Sequence, residues 1–187
     1  MRELVATPGL TAIADEDEAW REHVERSLEA LAVVRRYEGP LVDVGSGGGS
    51  PGIPLAAALP DSEVVLLESQ ERKVRSLERF AEWFPNVRVV RGRAEEQPTD
   101  AFGIAVARAL AEPPVAAEWC LPLAAPGGAA VLFVGPSADA KRVQRVADRL
   151  GGGTVERVGG LLVIPKDAPT PEGFPRRPGM AKKRPLA

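Results

Sequence analysis

With 187 residues, 44% of them hydrophobic, the chain is long enough to bury one core of ordinary size and is not disordered overall. The single cysteine excludes an internal disulfide and fits a reducing cytoplasm, and with a single histidine the composition argues against a zinc site. No apolar run is long enough to cross a bilayer, and no secretory signal is visible. We therefore expect a cytoplasmic protein with no membrane span and no metal.

The net charge of −2 is unevenly distributed. From Lys141 to the end, eleven basic and four acidic residues give +7, whereas the rest of the chain carries −9. A basic carboxy-terminal quarter on an acidic body indicates a polyanionic partner, and the alternative is a tail that only aids solubility.

We expect residues 1–39 to form a helical extension that packs on the core. Residues 1–14 show no periodic pattern. Asp15 and Glu18 have the spacing of a capping box, and a helix is expected from there to about Arg36, before Gly39-Pro40. One apolar stripe of this helix contains Trp20, Val24, Leu28 and Leu31.

Beyond this extension, strands and helices alternate, which predicts an α/β fold with a doubly wound, mostly parallel sheet of the Rossmann-like type. Strands are expected at 41–44, 64–67, 87–90, 104–107 and 129–134, and helices at 53–59, 70–84, 114–123 and 139–150. Residues 154–158 and 161–164, joined by Gly159-Gly160, predict an antiparallel hairpin. We divide this single domain into an extension (1–39), a core (40–165) and a basic, proline-rich tail without secondary structure (166–187).

The glycine-rich stretch at residues 45–49 follows the first predicted strand and precedes a helix, as a ligand-binding loop does and a linker does not. Counting from Gly45, the sixth residue is Ser50, so the dinucleotide pattern fails, and the loop lacks the Gly-Lys-Ser/Thr of a phosphate-binding loop. Glu68 ends the second strand, where a carboxylate accepts hydrogen bonds from ribose hydroxyls. These features indicate a nucleoside cofactor without a pyrophosphate, and S-adenosylmethionine fits that description.

Six motifs in order along the chain resemble the bacterial 16S ribosomal RNA guanine-N7 methyltransferases, once named glucose-inhibited division protein B. They are LTAI with Trp20 and HVERSL (10–28), DVGSGGGSPGIPLA (43–56), GRAEE (92–96), ARALA (107–111), LPLAAPGG (121–128) and FPRRPGMAKKRPL (174–186). The resemblance implies a class I methyltransferase that modifies 16S ribosomal RNA or the small ribosomal subunit. It implies cofactor contacts from Gly45, Ser50, Glu68, Ser69, Gln70, Ala94, Glu95 and Arg108.

Arg108 follows the fourth strand at the ligand-binding end, and three interpretations of it remain open. Its guanidinium fork suits the cofactor carboxylate or an RNA phosphate, and the third possibility is a structural ion pair.

Methylation of guanine N7 needs no general base, because N7 has a free lone pair and no proton to lose, so we assign no catalytic residue. Cys120 lies in an apolar helix and is expected in the core. His23 is expected to be structural or to face RNA.

The resemblance and the charge pattern together predict RNA contacts from the tail, and we expect the chain to act as a monomer. The tail residues concerned are Arg176, Arg177, Lys182, Lys183 and Arg184. The helix at 141–149 is either a second phosphate-binding surface or an ordinary solvated face.

Three alternatives remain open at this point. One is a methyltransferase of a small molecule, and another is an NAD-dependent oxidoreductase, which the missing sixth glycine disfavours. The third is an RNA-binding protein without turnover. It remains because Arg26 and Val134 stand where the family usually has an aspartate and a lysine.

Overall fold

The computed structural model describes residues 2–7 and 9–187, and within this range the fold is built on a seven-stranded sheet with the order β3-β2-β1-β4-β5-β7-β6. The strands are β1 (Leu41–Val44), β2 (Val64–Glu68), β3 (Val87–Arg91), β4 (Phe102–Arg108), β5 (Ala124–Phe133), β6 (Glu156–Val158) and β7 (Leu161–Pro165). Strands β1 to β5 pair in parallel, and the β6–β7 hairpin pairs antiparallel against β5. The predicted α/β sheet with an antiparallel end is confirmed.

The helices cover both faces of this sheet. They are α1 (Arg2–Ala6), α2 (Glu16–Trp20), α3 (Arg26–Leu28), α4 (Leu31–Val34), α5 (Gly52–Ala58), α6 (Glu71–Ala81), α7 (Pro113–Cys120), α8 (Ala140–Ala147) and α9 (Met180–Lys183). Two lie where no periodic pattern predicted a helix, α1 near the amino terminus and α9 in the tail. In the part of the chain that the structure describes, no helix is both long and apolar enough to span a membrane.

The amino-terminal extension differs from the single regular helix that was predicted. Asp15 caps α2 by accepting a 2.8 Å hydrogen bond from the Glu18 amide, but a π-helical turn (Arg21–Glu25) then separates α2 from α3. Of the predicted apolar stripe, Trp20 is 50% exposed, and Val24, Leu28 and Leu31 are half-buried. Each residue added to a helix rotates the following face by about 100°, so the wider turn changes which side chains are buried. From α2 to α4, the buried side chains are Ala19, Ser27, Ala30, Val33 and Val34.

The core lies on both faces of the sheet, because successive residues of each central strand point to opposite sides. In β1, Val42 and Val44 join one apolar cluster with α7 and α8, and Leu41 joins the other with α4 and α5. Cys120 is fully buried in the first cluster, as predicted, and burial raises the pKa of its thiol.

The strand order places the carboxyl ends of β1 and β4 side by side at the centre of the sheet. Successive strands run outward from β1 to β3, and the chain then returns to place β4 on the other side of β1. Ligands of open α/β sheets bind at this reversal. The glycine loop after β1 and Arg108 at the end of β4 therefore lie at the edge where a ligand is expected.

Candidate active site

The glycine loop at residues 45–50 is an ordered turn. The Gly45 amide donates to the Leu67 carbonyl at 2.8 Å, and the Gly49 amide donates to the Ser46 carbonyl at 2.7 Å. Gly45 has φ = +73°, a left-handed backbone conformation that glycine adopts without steric cost. A side chain there would also meet the Leu110 side chain. The loop is therefore held by backbone hydrogen bonds in a conformation that favours glycine.

Asp43 of β1 lies beneath the loop and is almost fully buried. Its Oδ2 accepts a 2.9 Å hydrogen bond from the Gly52 amide at the start of α5. Its Oδ1 is buried and has no partner among the residues described. Burial is the largest effect on the group and raises the pKa of Asp43 to about 7, because the charged carboxylate is poorly solvated there.

Glu68, the last residue of β2, is only 4% exposed, and backbone amides hold its carboxylate on both sides. Oε2 accepts from the Gly47 amide at 3.1 Å, and Oε1 accepts from the Gln70 amide at 2.8 Å. These bonds fix the orientation of the carboxylate and join the glycine loop to the turn after β2. Each carboxylate oxygen retains acceptor capacity for a further donor.

A cavity of about 250 Å³ opens beside Glu68 at the carboxyl ends of β1, β2 and β3. Six of the eight residues implied as cofactor contacts line it: Gly45, Glu68, Ser69, Gln70, Ala94 and Glu95. Leu110, Trp119 and Lys182 line it as well. We refer to it below as the nucleoside cavity, after the ligand that its lining suits.

Ser50 and Arg108, the other two implied contacts, do not line the nucleoside cavity in this structure. Arg108 donates through Nη1 to the Glu22 carbonyl, and its Nη2 lies 3.0 Å from His23 Nδ1. Ser50 Oγ donates to the His23 carbonyl at 3.3 Å. Both side chains therefore bind the π-helical turn of the extension. No ion pair of Arg108 is present among the described residues.

The π-helical turn is the part of the extension that receives these contacts. Its i→i+5 bond, from the Arg26 amide to the Arg21 carbonyl, replaces the bonding of a regular helix. The Glu22 carbonyl accepts from Arg108, and the His23 carbonyl accepts from Ser27 Oγ at 2.6 Å as well as from Ser50. The turn thus fastens the extension over the carboxyl end of β4.

His23 is held as the neutral imidazole by its two partners. Arg108 can only donate, so Nδ1 must accept, and Nε2 then carries the proton and donates to Thr11 Oγ1 at 2.8 Å. Burial, followed by the positive charge of Arg108, lowers the pKa of His23 from 6.5. Sequence reasoning did not assign this partner, and the only signal was a single histidine within a motif.

A second cavity, of about 210 Å³, lies on the other side of the glycine loop and has a mainly apolar lining. Its aromatic lining residues are His23, Phe80, Phe84 and the exposed indoles of Trp20 and Trp83, and aliphatic residues, glycines and Ser50 form the rest. Among the residues described, no group of His, Cys, Asp and Glu side chains is arranged to hold a metal ion.

The five basic tail residues occupy different surroundings. Arg176 forms a two-pronged ion pair with buried Glu118, with N–O distances of 2.6 and 2.7 Å, so its charge is already paired. Lys182 lies over the Trp119 ring at the nucleoside cavity. Arg177, Lys183 and Arg184 are exposed, and their side chains form no hydrogen bond or ion pair within the described residues.

The basic residues of helix α8 and of the turn that follows it also differ in their surroundings. Arg142 pairs with Glu112 at 3.8 Å and donates to the Ala187 carbonyl at 2.8 Å. Lys141, Arg145 and Arg149 are exposed on its outer side.

The sheet order, the glycine loop after β1 and the acid at the end of β2 define the class I methyltransferase fold. A T. thermophilus 16S rRNA N2 guanine methyltransferase, solved with AdoMet and guanosine, superposes with a TM-score of 0.56 at 18% identity, over 79% of this chain and 40% of that one. A SAM-dependent methyltransferase from Corynebacterium glutamicum gives 0.56 at 18% identity, over 81% and 96%. At these identities the likeness concerns the fold alone.

Sequence similarity identifies the family. The family described as rRNA small subunit methyltransferase G matches residues 2–149. Ribosomal RNA small subunit methyltransferase G of Moorella thermoacetica is 36% identical over 200 residues, which cover 95% of this chain and 82% of that protein. The protein of the same name from Pelotomaculum thermopropionicum is 38% identical over 199 residues, with the same coverage. The chain belongs to the rRNA small subunit methyltransferase G family.

We expect Asp43→Asn to stabilise the unliganded protein at alkaline pH. The pKa of Asp43 is about 7 when folded and 3.8 in the reference state, so the wild type loses stability as pH rises from about 4 through 7. The amide keeps the acceptor for Gly52 and has no charge to bury. Thermal unfolding should show the variant melting about 2–4 °C higher than the wild type near pH 8, with a smaller difference near pH 5. An equal difference at both pH values would contradict this explanation.

His23→Gln should have the opposite pH dependence. The pKa of His23 is lowered in the fold, so its contribution is complete above about 6.5 and is lost as pH falls below that value. Melting temperatures measured between about pH 7.5 and pH 5 should fall more steeply for the wild type than for the variant. Since the chain has one histidine, the difference between the two curves belongs to this group. Parallel curves would show that His23 is not held neutral.

Proposed function

We propose that this chain transfers a methyl group from S-adenosylmethionine to N7 of a guanine in 16S ribosomal RNA, acting as a cytoplasmic monomer. The observation that carries the proposal is the fixed, buried carboxylate of Glu68 at the nucleoside cavity of a chain in this family. Family membership supports the RNA substrate. The choice of N7 rests on the motif resemblance, on the burial of Cys120 and on the residues that follow β4.

The cavity lining fits a positively charged nucleoside. Glu68 is oriented to accept hydrogen bonds from two ribose hydroxyls, and Ala94 and Glu95 form the wall at which a base would lie. The unpartnered Oδ1 of Asp43 lies under the adjoining loop, where a bound cation would favour the charged carboxylate. We therefore assign the ribose to Glu68 and the base to the Ala94–Glu95 turn.

When bound, the cofactor supplies a methyl group on a sulfonium that is already activated for in-line displacement. The chain has to hold the acceptor in line and exclude misaligned poses, because guanine N7 has no proton to remove. Cys120 is buried behind the sheet, so no thiolate is available for the attack that a pyrimidine-C5 enzyme requires. The residues after β4 read Ala107-Arg108-Ala109-Leu110, without the Asn/Asp-Pro-Pro-Tyr/Phe motif that orients an exocyclic amine.

We propose that Arg108 acts by positioning. Its hydrogen bonds to Glu22 and His23 hold the extension beside the glycine loop, next to the end of β4. For Arg108 to contact the cofactor carboxylate or an RNA phosphate, it would have to give up its hydrogen bonds to Glu22 and His23.

The target guanine must leave its stack to reach the methyl group, so RNA has to be held along its backbone. We propose that the exposed cations Arg177, Lys183 and Arg184 bind phosphates, with the outer side of α8 as a second contact. Arg176 is left out of this set because it is paired with Glu118.

Methyl transfer to small ribosomal subunits and to deproteinised 16S RNA, both from cells lacking this chain, tests the proposal. With labelled cofactor, nuclease digestion and mass spectrometry should reveal 7-methylguanosine. We expect Glu68→Gln to weaken cofactor binding by about 10- to 100-fold, since an amide replaces a charged acceptor and its NH2 group opposes one of the two backbone N–H donors.

Glu71→Gln is the matched control for that variant, because Glu71 is an exposed acid three residues further along. It should bind cofactor and transfer the methyl group as the wild type does. Label on an exocyclic amine, or cofactor binding without transfer to either RNA, would refute the assignment. Transfer only to a small molecule would favour the alternative substrate class.

Replacing Arg177, Lys183 and Arg184 together with glutamine should weaken RNA binding and reduce its salt dependence. Each phosphate contact with single-stranded RNA contributes about 0.7 to the slope of log affinity against log salt, so we expect the slope to fall by about 2. Filter binding at several salt concentrations measures both quantities.

The control for this triple variant replaces Arg35, Arg36 and Arg88, which lie at the opposite edge of the sheet, where the parallel strands begin. It removes the same charge from the chain. An equal loss of slope in both triple variants would show a general charge effect in place of local phosphate contacts.

A further inference from the structure

The carboxy-terminal segment, defined here as residues 176–184, is fastened along one wall of the nucleoside cavity. Its first anchor is the Arg176 guanidinium, which binds both carboxylate oxygens of Glu118 on α7 at 2.6 and 2.7 Å. Glu118 is only 4% exposed, so this pair is shielded from solvent. A shielded two-pronged pair of this kind fixes the direction of the segment as well as its position.

A second anchor ties the segment to Glu95, which itself lines the cavity. The Gly179 amide donates to Glu95 Oε1 at 3.1 Å. Gly179 has φ = +83°, and this left-handed residue turns the chain into α9. The turn brings the next residues back toward α7 and the cavity mouth.

Lys182 of α9 lies at that mouth. Its ammonium is 5.3 Å from the centre of the Trp119 ring, a cation–π distance, and both residues line the nucleoside cavity. The next residue, Lys183, points about 100° further round the helix and does not line the cavity. Two adjacent lysines of the same charge thus occupy different surroundings.

We propose that Lys182 contacts the bound cofactor at its nucleobase end, as a binding residue supplied by the carboxy-terminal segment. The inference rests on the proposed function, because it takes the cavity to hold an adenine nucleoside. The Lys182 ammonium has hydrogen-bond donors but no acceptor, which suits the ring nitrogens of a base. It lies on the side of Glu95 and Trp119, where the nucleoside is uncharged.

The charge of the cofactor supports this placement. A sulfonium repels an ammonium, so a lysine near the methyl group would weaken binding, whereas one at the neutral base does not. Glu95, whose carboxylate is held by Gly179, lies on the same wall and offsets part of the positive charge.

Calorimetric titration with S-adenosylmethionine and with the neutral product S-adenosylhomocysteine tests the proposal on the full-length chain. We expect Lys182→Gln to bind both ligands about 5- to 20-fold more weakly, and Lys182→Arg to recover most of the loss. Lys183→Gln is the matched control and should leave both affinities within about two-fold of wild type while lowering RNA affinity.

The outcomes separate this inference from the proposed function. If the wild type binds neither ligand, the proposed function fails. If the wild type binds and both glutamine variants bind equally well, only the inference about Lys182 fails. Lys182 is exposed in the unliganded protein, so the melting temperature should be unchanged; a variant that binds weakly but melts as the wild type supports a direct contact.

Discussion

The glycine loop keeps its shape because two buried carboxylates hold its backbone. Asp43 binds the amide of Gly52 from below, and Glu68 binds the amide of Gly47 from the side. Both acids lie on adjacent central strands, so the loop inherits the rigidity of the sheet. Burying a carboxylate is unfavourable unless its oxygens are hydrogen-bonded, and here one Asp43 oxygen is left without a partner. The fold therefore tolerates an incompletely hydrogen-bonded carboxyl group under the region where a cationic ligand is proposed to bind.

The features that could be predicted from sequence are those that depend on short, local patterns. The strands, the loop and Glu68 depend on short patterns: apolar runs, glycines at fixed spacing and an acid at a strand end. The parallel order then brings these local features together, because every β-strand from β1 to β5 ends at the same edge. Residue patterns thus predicted Gly45 and Glu68 of the cavity lining, and the family resemblance implied Ser69, Gln70, Ala94 and Glu95. Neither predicted Leu110, Trp119 or Lys182.

The parts that sequence did not predict depend on contacts between distant residues. Arg108 meets His23, 85 positions away, and Arg176 meets Glu118, 58 positions away. No local sequence pattern predicts either pairing, because the two residues of each pair are far apart in sequence. The π-helical turn is a further case: the apolar spacing fits a regular helix, and the side chains that bind the turn, Arg108 and Ser50, come from distant parts of the chain.

Position, more than charge, distinguishes the basic residues of the tail. Counting charges treats Arg176, Lys182 and Lys183 alike, yet one lies in a shielded ion pair, one lies at the cavity and one faces solvent. The difference arises from two local features, the left-handed Gly179 and the single turn of α9. The carboxy-terminal segment carries the exposed cations on its outside and forms one wall of the nucleoside cavity. A phosphate backbone bound to Lys183 would therefore lie within one helical turn of Lys182, the proposed cofactor contact. In the proposed site, the extension therefore lies at the end of β4 and the carboxy-terminal segment lies at the nucleobase end of the cofactor.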